Sequence, residues 1–358
     1  MKITIALPAY FNHPSGGYTV HYTYARLLAD RGHDVTVIFP RSLESDADDL
    51  TARLKAPVWA FRARLKNRPL VPALVSAGRV RTRLIRSFSP SQLPDADLLI
   101  ATSWHTAEAL AAVAARYGRK YYIVYDYEFV MTSESTIRDR IEATYRMPFH
   151  IIATSTIVAE MVRRCGGKPI ATIPCGLDFT EFGVDRPSDQ REPLTVGFPL
   201  RPQSFKGADD AFAASVILRE RLGETLRVTA FGAKRGALPD WIAWVDYPNQ
   251  VELRRFYNQQ AVFMVPSHFE GWGLPGVEAL ACGAALVTTD NGGCMDYARD
   301  GQTAIVVPPR NPPALADGVI RLLTDTTYRL RLAQAGHEFV QRFTWDDAVE
   351  RLAQQLGA

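Results

Sequence analysis

Short apolar runs alternate with amphipathic stretches along most of the chain, and this alternation predicts the secondary structure. In the N-terminal half, five runs have the composition of buried strands: "ITIALP", "DVTVIFP", "DLLIA", "KYYIVYD" and "FHIIATS". The stretches "GGYTVHYTYARLLADRG", "WHTAEALAAVAARYG" and "TIVAEMVRRCGG" have helical periodicity. Strands that alternate with helices form a parallel sheet covered on both faces, so the predicted fold class is α/β.

A second series of the same kind begins near residue 193. Its predicted strands are "LTVGF", "TLRVTAFG", "AVFMVPS" and "AALVTTD", and its predicted helices are "KGADDAFAASVILRERLG", "VELRRFYNQQ" and "PGVEALACG". The stretch from about Pro312 to Ala358 is also helical in pattern. Two Rossmann-like, doubly wound domains that face each other across a cleft are therefore predicted, with ligands at the carboxyl ends of the strands.

The segment between the two series is rich in Pro, Gly and Asp and predicts the interdomain linker. A chain of 358 residues also exceeds what one core usually supports. The predicted organisation is an N-terminal domain at 1–173, a linker at 174–192, a second domain at 193–342 and a final helix at 343–358.

The apolar runs are all too short for membrane insertion. None reaches the roughly eighteen residues that a span needs, and the first is too short for the core of a signal peptide. The expected location is the cytoplasm, which argues against an exported, hinged binding protein. The four cysteines have no C-x-x-C spacing and are interpreted as reduced, structural thiols.

The net charge of +3 conceals a basic segment between Thr51 and Pro94. This segment has ten Lys and Arg residues and no acidic residue, whereas the rest of the chain is net negative. Because apolar side chains are interleaved with the basic ones, the segment suits a surface that meets anionic lipid head groups. A solvated insertion is an equal alternative. The absence of a nucleic-acid-binding motif argues against a nucleic-acid partner.

The stretch "HFEGWGLPGVEALACG", residues 268–283, has two interpretations. Gly271, Gly273 and Gly276 spell Gly-x-Gly-x-x-Gly between a strand and a helix, and Asp290 follows about twenty residues later. This is typical of an NAD(P)-dependent oxidoreductase. Three residues nevertheless separate the strand from the first glycine, which is unusual for a dinucleotide fingerprint.

Pro275 suits the first turn of a helix, so the helix is predicted to begin there and to carry Glu278 in its first turn. Gly271, Trp272, Gly273 and Leu274 then form a loop whose backbone N–H groups can hold phosphate oxygens. A phosphate site is expected under either interpretation.

Two glutamates, Glu270 and Glu278, bracket these glycines. A sugar diphosphate presents sugar hydroxyls on one side and ribose hydroxyls on the other, and carboxylates accept hydrogen bonds from both. The pair therefore favours a nucleotide sugar over NAD. The alternatives are a first-turn acid that complements the helix dipole for Glu278 and a solvated loop charge for Glu270.

The string "EGWGLPGVE" resembles the Glu-x7-Glu motif of the retaining glycosyltransferases of family 4, and the similarity continues into "ALACGAALVTTDNGGCMDYARDGQTAIVVPP". That family has the GT-B fold. The resemblance implies that Glu270 binds hydroxyls of the donor sugar and Glu278 the ribose. It also implies that Gly16 and Gly17 contact the donor from the opposite side of the cleft. The stretch "FTWDDAVERLAQQL" resembles the family's final helix, which returns to the N-terminal domain.

The string "RPQSFKG" resembles the family's Arg…Lys-Gly element, which makes Arg201 and Lys206 the cations on the donor diphosphate. Both follow a predicted strand and can oppose charge that builds on the departing diphosphate. The alternative is a pair of surface cations. Gly232 is assigned to the donor site as well, because the loops near it are expected to select the base.

The acceptor side departs from the family. Many relatives have a histidine at the end of the strand that reads "YYIVYDYE" here, whereas this chain has Asp126. Asp126 can orient an acceptor hydroxyl or stabilise an oxocarbenium-like centre, or it can be a strand-end cap. His105, in "SWHTAE", is a second candidate with a structural alternative. The "DYE" end is similar to that of certain bacterial rhamnosyltransferases of cell-surface polysaccharide assembly.

The predicted activity is transfer of a sugar from a nucleotide diphosphate sugar to a glycan or lipid-linked glycan, with retention of configuration. Under this prediction the enzyme needs no protein nucleophile, no cofactor and no metal, and it works peripherally at the inner face of the cell membrane. The "DAD" strings at 46–48 and 95–97 are interpreted as loop acids. The alternative is an NAD(P)-dependent oxidoreductase.

Overall fold

The computed structural model describes residues 1–9, 16–40, 80–126, 128 and 132–357. Contacts between Cα atoms divide the chain into two compact units. Unit 1 comprises residues 1–174 together with 346–358, and unit 2 comprises residues 175–345.

Unit 1 contains a parallel sheet with seven strands in the described part of the chain. Its strands are β1 (Lys2–Ala6), β2 (Asp34–Pro40), β3 (Val80–Ile85), β4 (Leu98–Ala101), β5 (Arg119–Val124), β6 (His150–Ala153) and β7 (Pro169–Thr172). The spatial order is β3-β2-β1-β4-β5-β6-β7, so the winding direction reverses between β1 and β4. In the register of these two strands, Ile3 lies beside Leu98.

Unit 2 contains a six-stranded parallel sheet of the same doubly wound type, counted over its described residues. Its strands are β8 (Thr195–Leu200), β9 (Arg227–Gly232), β10 (Ile242–Asp246), β11 (Val262–Val265), β12 (Ala285–Thr289) and β13 (Ile305–Val307). The order is β10-β9-β8-β11-β12-β13, and the reversal lies between β8 and β11.

The helices of both units agree with the predicted pattern, except that the helix Ser135–Thr144 was not predicted and the helix that begins at Trp104 is shorter than predicted. Those of unit 1 are α1 (Gly16–Asp30), α2 (Trp104–Ala111), α3 (Ser135–Thr144) and α4 (Thr156–Arg164). Those that follow are α5 (Ala208–Leu222), α6 (Gln250–Gln259), α7 (Leu274–Ala281), α8 (Pro312–Thr324), α9 (Thr326–Val340) and α10 (Trp345–Leu356). In the described ranges, no helix combines the length and the hydropathy that a membrane crossing requires.

The predicted fold class is confirmed, since two doubly wound parallel sheets are present. One local prediction was wrong, because the predicted helix over 104–118 ends at Ala111. No strand was predicted in the basic segment 51–94, which contributes β3. Residues 51–79 of that segment, and the first "DAD" string, lie outside the described residues. The second "DAD" string precedes β4, and its Asp97 carboxylate accepts a hydrogen bond from the Lys2 backbone at 2.7 Å.

The segment predicted as a linker packs against unit 2 from residue 175 onwards. The guanidinium of Arg191 is buried there and donates hydrogen bonds to the Gln260 carbonyl at 2.9 Å and to the Cys282 carbonyl. Ser188 donates to the Gly283 carbonyl at 2.6 Å. The segment is therefore an ordered part of unit 2. All four cysteines are buried free thiols, as predicted.

Candidate functional site

The first group of candidate residues lies at the reversal point of the unit 2 sheet. Lys206 follows β8 in a short turn, and Glu270 follows the neighbouring strand β11. Nζ of Lys206 lies 2.8 Å from Oε2 of Glu270, and both side chains are largely buried. The hydroxyl of Ser267 donates to Oε1 of Glu270 at 2.7 Å. The carboxylate is therefore held on both oxygens, which argues against the alternative of a solvated loop charge.

The backbone around this ion pair is tightly constrained. Gly207, which follows Lys206, has a φ of +66° and caps the start of α5. A Cβ atom at Gly207 would lie 2.1 Å from the Pro266 carbonyl oxygen, so the close approach of the two loops requires glycine. The Glu270 backbone N–H donates to the Asn291 carbonyl at 2.9 Å. These contacts fix the loop after β8 against the loop after β11.

The glycine loop ends at Gly273, which has a φ of +85° and is the N-cap of α7. The helix begins at Leu274, so the prediction that it begins at Pro275 and leaves Leu274 in the loop was wrong by one residue. Glu278 is consequently the fifth helical residue, and the first turn contains no acid. This argues against the interpretation of Glu278 as a first-turn acid that complements the dipole.

The side chain of Trp272 is in the protein core. It is almost fully buried, with its ring 5.5 Å from that of Tyr297 and 5.1 Å from that of Phe343 between centroids. The Tyr297 hydroxyl donates to the Gly273 carbonyl at 2.6 Å, and a Cβ atom at Gly276 would lie 2.4 Å from that hydroxyl oxygen. Trp272 and Tyr297 therefore hold the loop in place. Gly271 lies in the same loop, directly before Trp272.

Glu278 is on α7 and makes a polar contact separate from that of Glu270. The hydroxyl of Tyr257 donates to its Oε2 at 2.7 Å. Burial raises the pKa of Glu278 to about 7, against the opposing effects of this hydrogen bond and of the nearby Arg201 charge. Arg201 directly follows β8, and its guanidinium carbon lies 5.4 Å from the centroid of the Phe231 ring. The site therefore contains a second carboxyl near a second cation.

Gly232 ends β9, the strand beside β8. A Cβ atom there would lie 2.2 Å from the Leu200 carbonyl oxygen, just before Arg201, so the two strand ends approach too closely for any side chain. The Gly232 carbonyl also accepts a hydrogen bond from the Tyr247 backbone at 2.9 Å. Gly232 thus lies at the carboxyl edge of the sheet, where the sequence analysis predicts that the donor binds.

A histidine that sequence reasoning missed connects these loops. Nε2 of His268 lies 2.7 Å from a carboxylate oxygen of Asp210, in the first turn of α5. Nε of Arg310 donates to Nδ1 of His268 at 3.3 Å. Nδ1 is therefore the acceptor nitrogen, and Nε2 carries the proton that is donated to Asp210. The His268 backbone N–H also donates to the Phe205 carbonyl at 2.7 Å, next to Lys206.

Unit 1 has a cavity of about 210 Å³ at the reversal point of its own sheet. Its described walls come from the carboxyl ends of β1, β4 and β5 and from α1. They are formed by Leu7, Pro8, Gly17, Tyr18, His21, Thr102, Ser103, Tyr122, Val124, Tyr125, Asp126 and Glu128. The crevice beyond the carboxyl ends of strands at such a reversal is the usual ligand site of an open parallel sheet.

The structure brings Gly17 and Asp126 together at this cavity but not His105. Gly17 lies in the first turn of α1, where a Cβ atom would meet the Tyr125 ring at 3.4 Å, and Gly16 is the first residue of that helix. The ring of His105 is stacked on that of Trp104 at 3.7 Å, and His105 is not among the described wall residues. This placement favours the structural interpretation of His105.

Two wall residues that the sequence did not identify as candidates are His21 and Glu128. His21 lies on α1, and burial lowers its pKa to about 4, so its ring is neutral at pH 7. Oε2 of Glu128 accepts hydrogen bonds from the Trp104 backbone at 2.7 Å and from the Tyr122 hydroxyl at 3.2 Å. Burial, with a smaller effect from the Asp126 charge, raises the pKa of Glu128 to about 8.

Two family models match most of the chain. The model "Glycosyltransferase Family 4" matches residues 14–181, and the model "Glycosyl transferases group 1" matches residues 198–339. Both are glycosyltransferase domains, so the oxidoreductase alternative is not supported.

The curated relatives include D-inositol 3-phosphate glycosyltransferases. That of Xylanimonas cellulosilytica is 31% identical over 229 residues, which cover 55% of this chain and 54% of the relative. That of Streptomyces bingchenggensis is 28% identical over 226 residues, which cover 54% of this chain and 49% of the relative. The chain thus spans about half the length of these relatives.

Solved structures agree with the whole chain in fold. The Anabaena protein HepE in complex with UDP-glucose has a TM-score of 0.75 at 17% identity, covering 100% of this chain and 99% of its own. A sucrose-phosphate synthase from Thermosynechococcus elongatus has a TM-score of 0.71 at 17% identity, covering 99% and 97%. Together with the two matched models, these similarities show that the chain has the GT-B fold, with an N-terminal region that matches the glycosyltransferase family 4 model and a C-terminal region that matches the glycosyl transferases group 1 model.

Proposed function

We propose that the chain is a retaining glycosyltransferase that moves a sugar from a nucleotide diphosphate sugar to a hydroxyl of a saccharide or lipid-linked saccharide. The observation that carries this proposal is the pairing of Lys206 with Glu270 at 2.8 Å, beside a glycine loop that ends at the start of a helix. Cations, carboxylates and backbone N–H groups at the reversal point of a parallel sheet form a site suited to a sugar diphosphate.

The donor is a UDP-sugar in this proposal. Its support is the HepE structure, which was determined with UDP-glucose. Glu278 accepts hydrogen bonds from the ribose hydroxyls, and Glu270 accepts them from the hydroxyls of the donor sugar. The alternative donor sugar is a deoxyhexose such as rhamnose. It is favoured by the similarity of the "DYE" strand end to that of certain bacterial rhamnosyltransferases.

Lys206 and Arg201 stabilise the negative charge that develops on the departing diphosphate. Their effect is large because both cations are partly buried, where charge is poorly screened by water. The acceptor attacks from the face that the leaving group occupies, and a phosphate oxygen takes its proton, so the reaction needs no protein nucleophile. The two cations also make a divalent metal unnecessary.

Nucleotide binding tests this proposal directly. The melting temperature of the purified protein is measured with UDP, GDP, dTDP, ADP and NAD, with and without a chelator. A ligand that binds only the folded state raises the melting temperature. We expect a shift with UDP that survives the chelator, and none with NAD. A shift with NAD alone would contradict the proposal, and loss of the UDP shift with chelator would contradict metal independence.

Two variants connect binding with turnover. We expect Glu278→Ala to weaken UDP binding and Lys206→Ala to lower kcat by about 100-fold or more, the scale seen when one stabilising group is removed from a charged transition state. The exposed residues Glu224 and Lys168 provide matched controls, Glu224→Ala and Lys168→Ala. Unchanged kinetics in both site variants would reject the assigned roles.

The membrane part of the proposal rests on charge. The segment 51–94 has ten basic and no acidic residues, which supports peripheral attachment to anionic lipid and a lipid-linked acceptor. Flotation of the protein with vesicles that contain or lack anionic lipid measures this attachment. Equal flotation with both kinds of vesicle would remove the argument.

A further inference from the structure

The described walls of the unit 1 cavity have an unusual chemical balance. They include two carboxyl groups, three tyrosine rings and the hydroxyls of Thr102 and Ser103, but no Lys or Arg among the described wall residues. The one histidine of these walls, His21, is neutral at pH 7 because burial lowers its pKa to about 4. The described walls therefore supply no cationic side chain at neutral pH.

The two carboxyl groups lie close enough for the charge of Asp126 to affect Glu128. The Asp126 charge contributes to the raised pKa of Glu128, which at about 8 leaves Glu128 mostly protonated at pH 7. The Trp104 backbone N–H and the Tyr122 hydroxyl both donate hydrogen bonds to Oε2 of Glu128. The cavity thus presents hydrogen-bonding oxygens between aromatic and aliphatic side chains, and Oε2 of Glu128 is held by two donors.

Such walls suit one class of ligand. A sugar or polyol ring has hydroxyl groups that hydrogen-bond to carboxyl and hydroxyl oxygens, and it has apolar faces that pack on tyrosine rings. A phosphate on that ring would face carboxyl groups with no compensating cation from the described walls. A buried charge without a partner is strongly unfavourable, and a like charge beside it costs more.

We propose that this cavity binds an uncharged, polyhydroxylated ring of the acceptor, with Asp126 and Glu128 hydrogen-bonding to its hydroxyls, and that it discriminates against a ring that bears a phosphate. The inference rests on the proposed glycosyltransferase function and specifies the acceptor class of that reaction. The inferred acceptor, a ring without a phosphate, differs from the D-inositol 3-phosphate that appears in the name of the curated relatives.

The test compares neutral rings with their phosphorylated counterparts on the full chain saturated with UDP. The pairs are myo-inositol and D-inositol 3-phosphate, methyl α-glucoside and its 6-phosphate, and methyl α-mannoside and its 6-phosphate. Saturation-transfer NMR gives the Kd of each ring. We expect at least one neutral ring to bind with a Kd at least about tenfold below that of its phosphorylated partner.

Asp126→Asn tests whether the carboxylate causes the discrimination. This variant keeps the shape of the side chain and removes its charge, so we expect the ratio between the two Kd values to fall by at least about threefold. Asp139→Asn, which makes the same change at an exposed position of α3, is the control and should leave the ratio unchanged. The melting temperatures of both variants verify that they fold, and the wild-type ratio tests the inference by itself.

Phosphorylated rings that bind as tightly as neutral ones, or a complete lack of ring binding, would overturn the inference. The UDP melting shift of the same samples separates this from failure of the proposed function. If UDP stabilises the protein but no ring binds, the acceptor inference alone fails. If UDP gives no shift, the proposed function fails whichever ring binds.

Discussion

The ionisation of Glu278 is expected to control donor binding, because its environment raises its pKa to about 7. Only the carboxylate form accepts hydrogen bonds from both ribose hydroxyls, and this form is lost as the pH falls below 7. We therefore expect the Kd for UDP to decrease by about tenfold between pH 6 and pH 8. Calorimetry across this range measures the change.

Two variants isolate this effect from the titration of UDP itself. Glu278→Gln should bind UDP more weakly and show a smaller pH dependence. Tyr257→Phe removes a hydrogen bond that lowers the pKa of Glu278, so its binding curve should move to higher pH. A Glu278→Gln variant with the full wild-type pH dependence would show that another group is responsible.

The raised pKa of Glu128 predicts that the stability of unit 1 depends on pH. Its pKa is about 8 in the folded state and near 4.5 in the unfolded state, so the folded protein binds more protons between these values. The stabilising contribution is complete below about pH 4.5 and is lost as the pH rises through 8. Glu128→Gln removes this proton uptake. We expect the stability difference, wild type minus variant, to decrease as the pH rises from 5 to 8.

Melting curves of the two proteins at several pH values provide the measurement. The comparison with the variant is necessary because His21 titrates in the opposite sense, with a folded pKa of about 4. A difference that stays constant from pH 5 to pH 8 would contradict the raised pKa of Glu128.

At the residue scale, the sequence identified groups that the structure brings together, such as Lys206 and Glu270. It did not identify their partners. Tyr257 lies 21 positions from Glu278, and Ser267 has no special feature in the sequence. A motif reports side chains that recur at fixed spacing, whereas these hydrogen bonds depend on how α6 packs beside α7 and how one loop bends.

At the scale of elements, the strands that the sequence pattern missed are β3, β7, β10 and β13. These are the outer strands of the two sheets within the described residues. An inner strand of a parallel sheet is buried on both faces and is almost entirely apolar, as "LLIA" in β4 is. An edge strand is short or partly exposed, as "VRTRLI" in β3 and "PIAT" in β7 are, so its apolar signal is weak.

Arg191 connects several elements of unit 2 and should be critical for its stability. It donates to the carbonyls of Tyr257 and Gln260 at the end of α6 and to that of Cys282 at the end of α7. Burial lowers its pKa to about 10, so it remains charged at pH 7. Arg191→Met would leave these carbonyls without their donor. We expect a loss of about 3–5 kcal/mol in the free energy of unfolding, measured by denaturant titration.

Arg186→Met is the control for this experiment, because the Arg186 side chain is exposed and the bond to Arg191 uses its backbone carbonyl. We expect that variant to change the free energy of unfolding by less than about 0.5 kcal/mol. Equal effects of the two substitutions would mean that the buried hydrogen bonds of Arg191 contribute little.

At the scale of the whole molecule, the chain enters unit 2 at Cys175 and returns to unit 1 at Asp346. The returning segment is α10, whose apolar face, including Val349 and Leu352, is buried. The Leu356 carbonyl accepts a hydrogen bond from Arg119 at 2.8 Å, and the Gln355 carbonyl accepts one from the Tyr121 hydroxyl at 3.1 Å. The last residues of the chain are thus part of the packing of the first sheet.

This connectivity predicts that damage to α10 destabilises unit 1, while donor binding stabilises unit 2. Leu352→Ala removes a fully buried side chain and should cost unit 1 about 2–5 kcal/mol, whereas the exposed Gln354→Ala on the same helix should have little effect. In differential scanning calorimetry, we expect Leu352→Ala to lower one transition and UDP to raise the other. If the substitution lowered the transition that UDP raises and left the other unchanged, α10 would have to stabilise unit 2 instead.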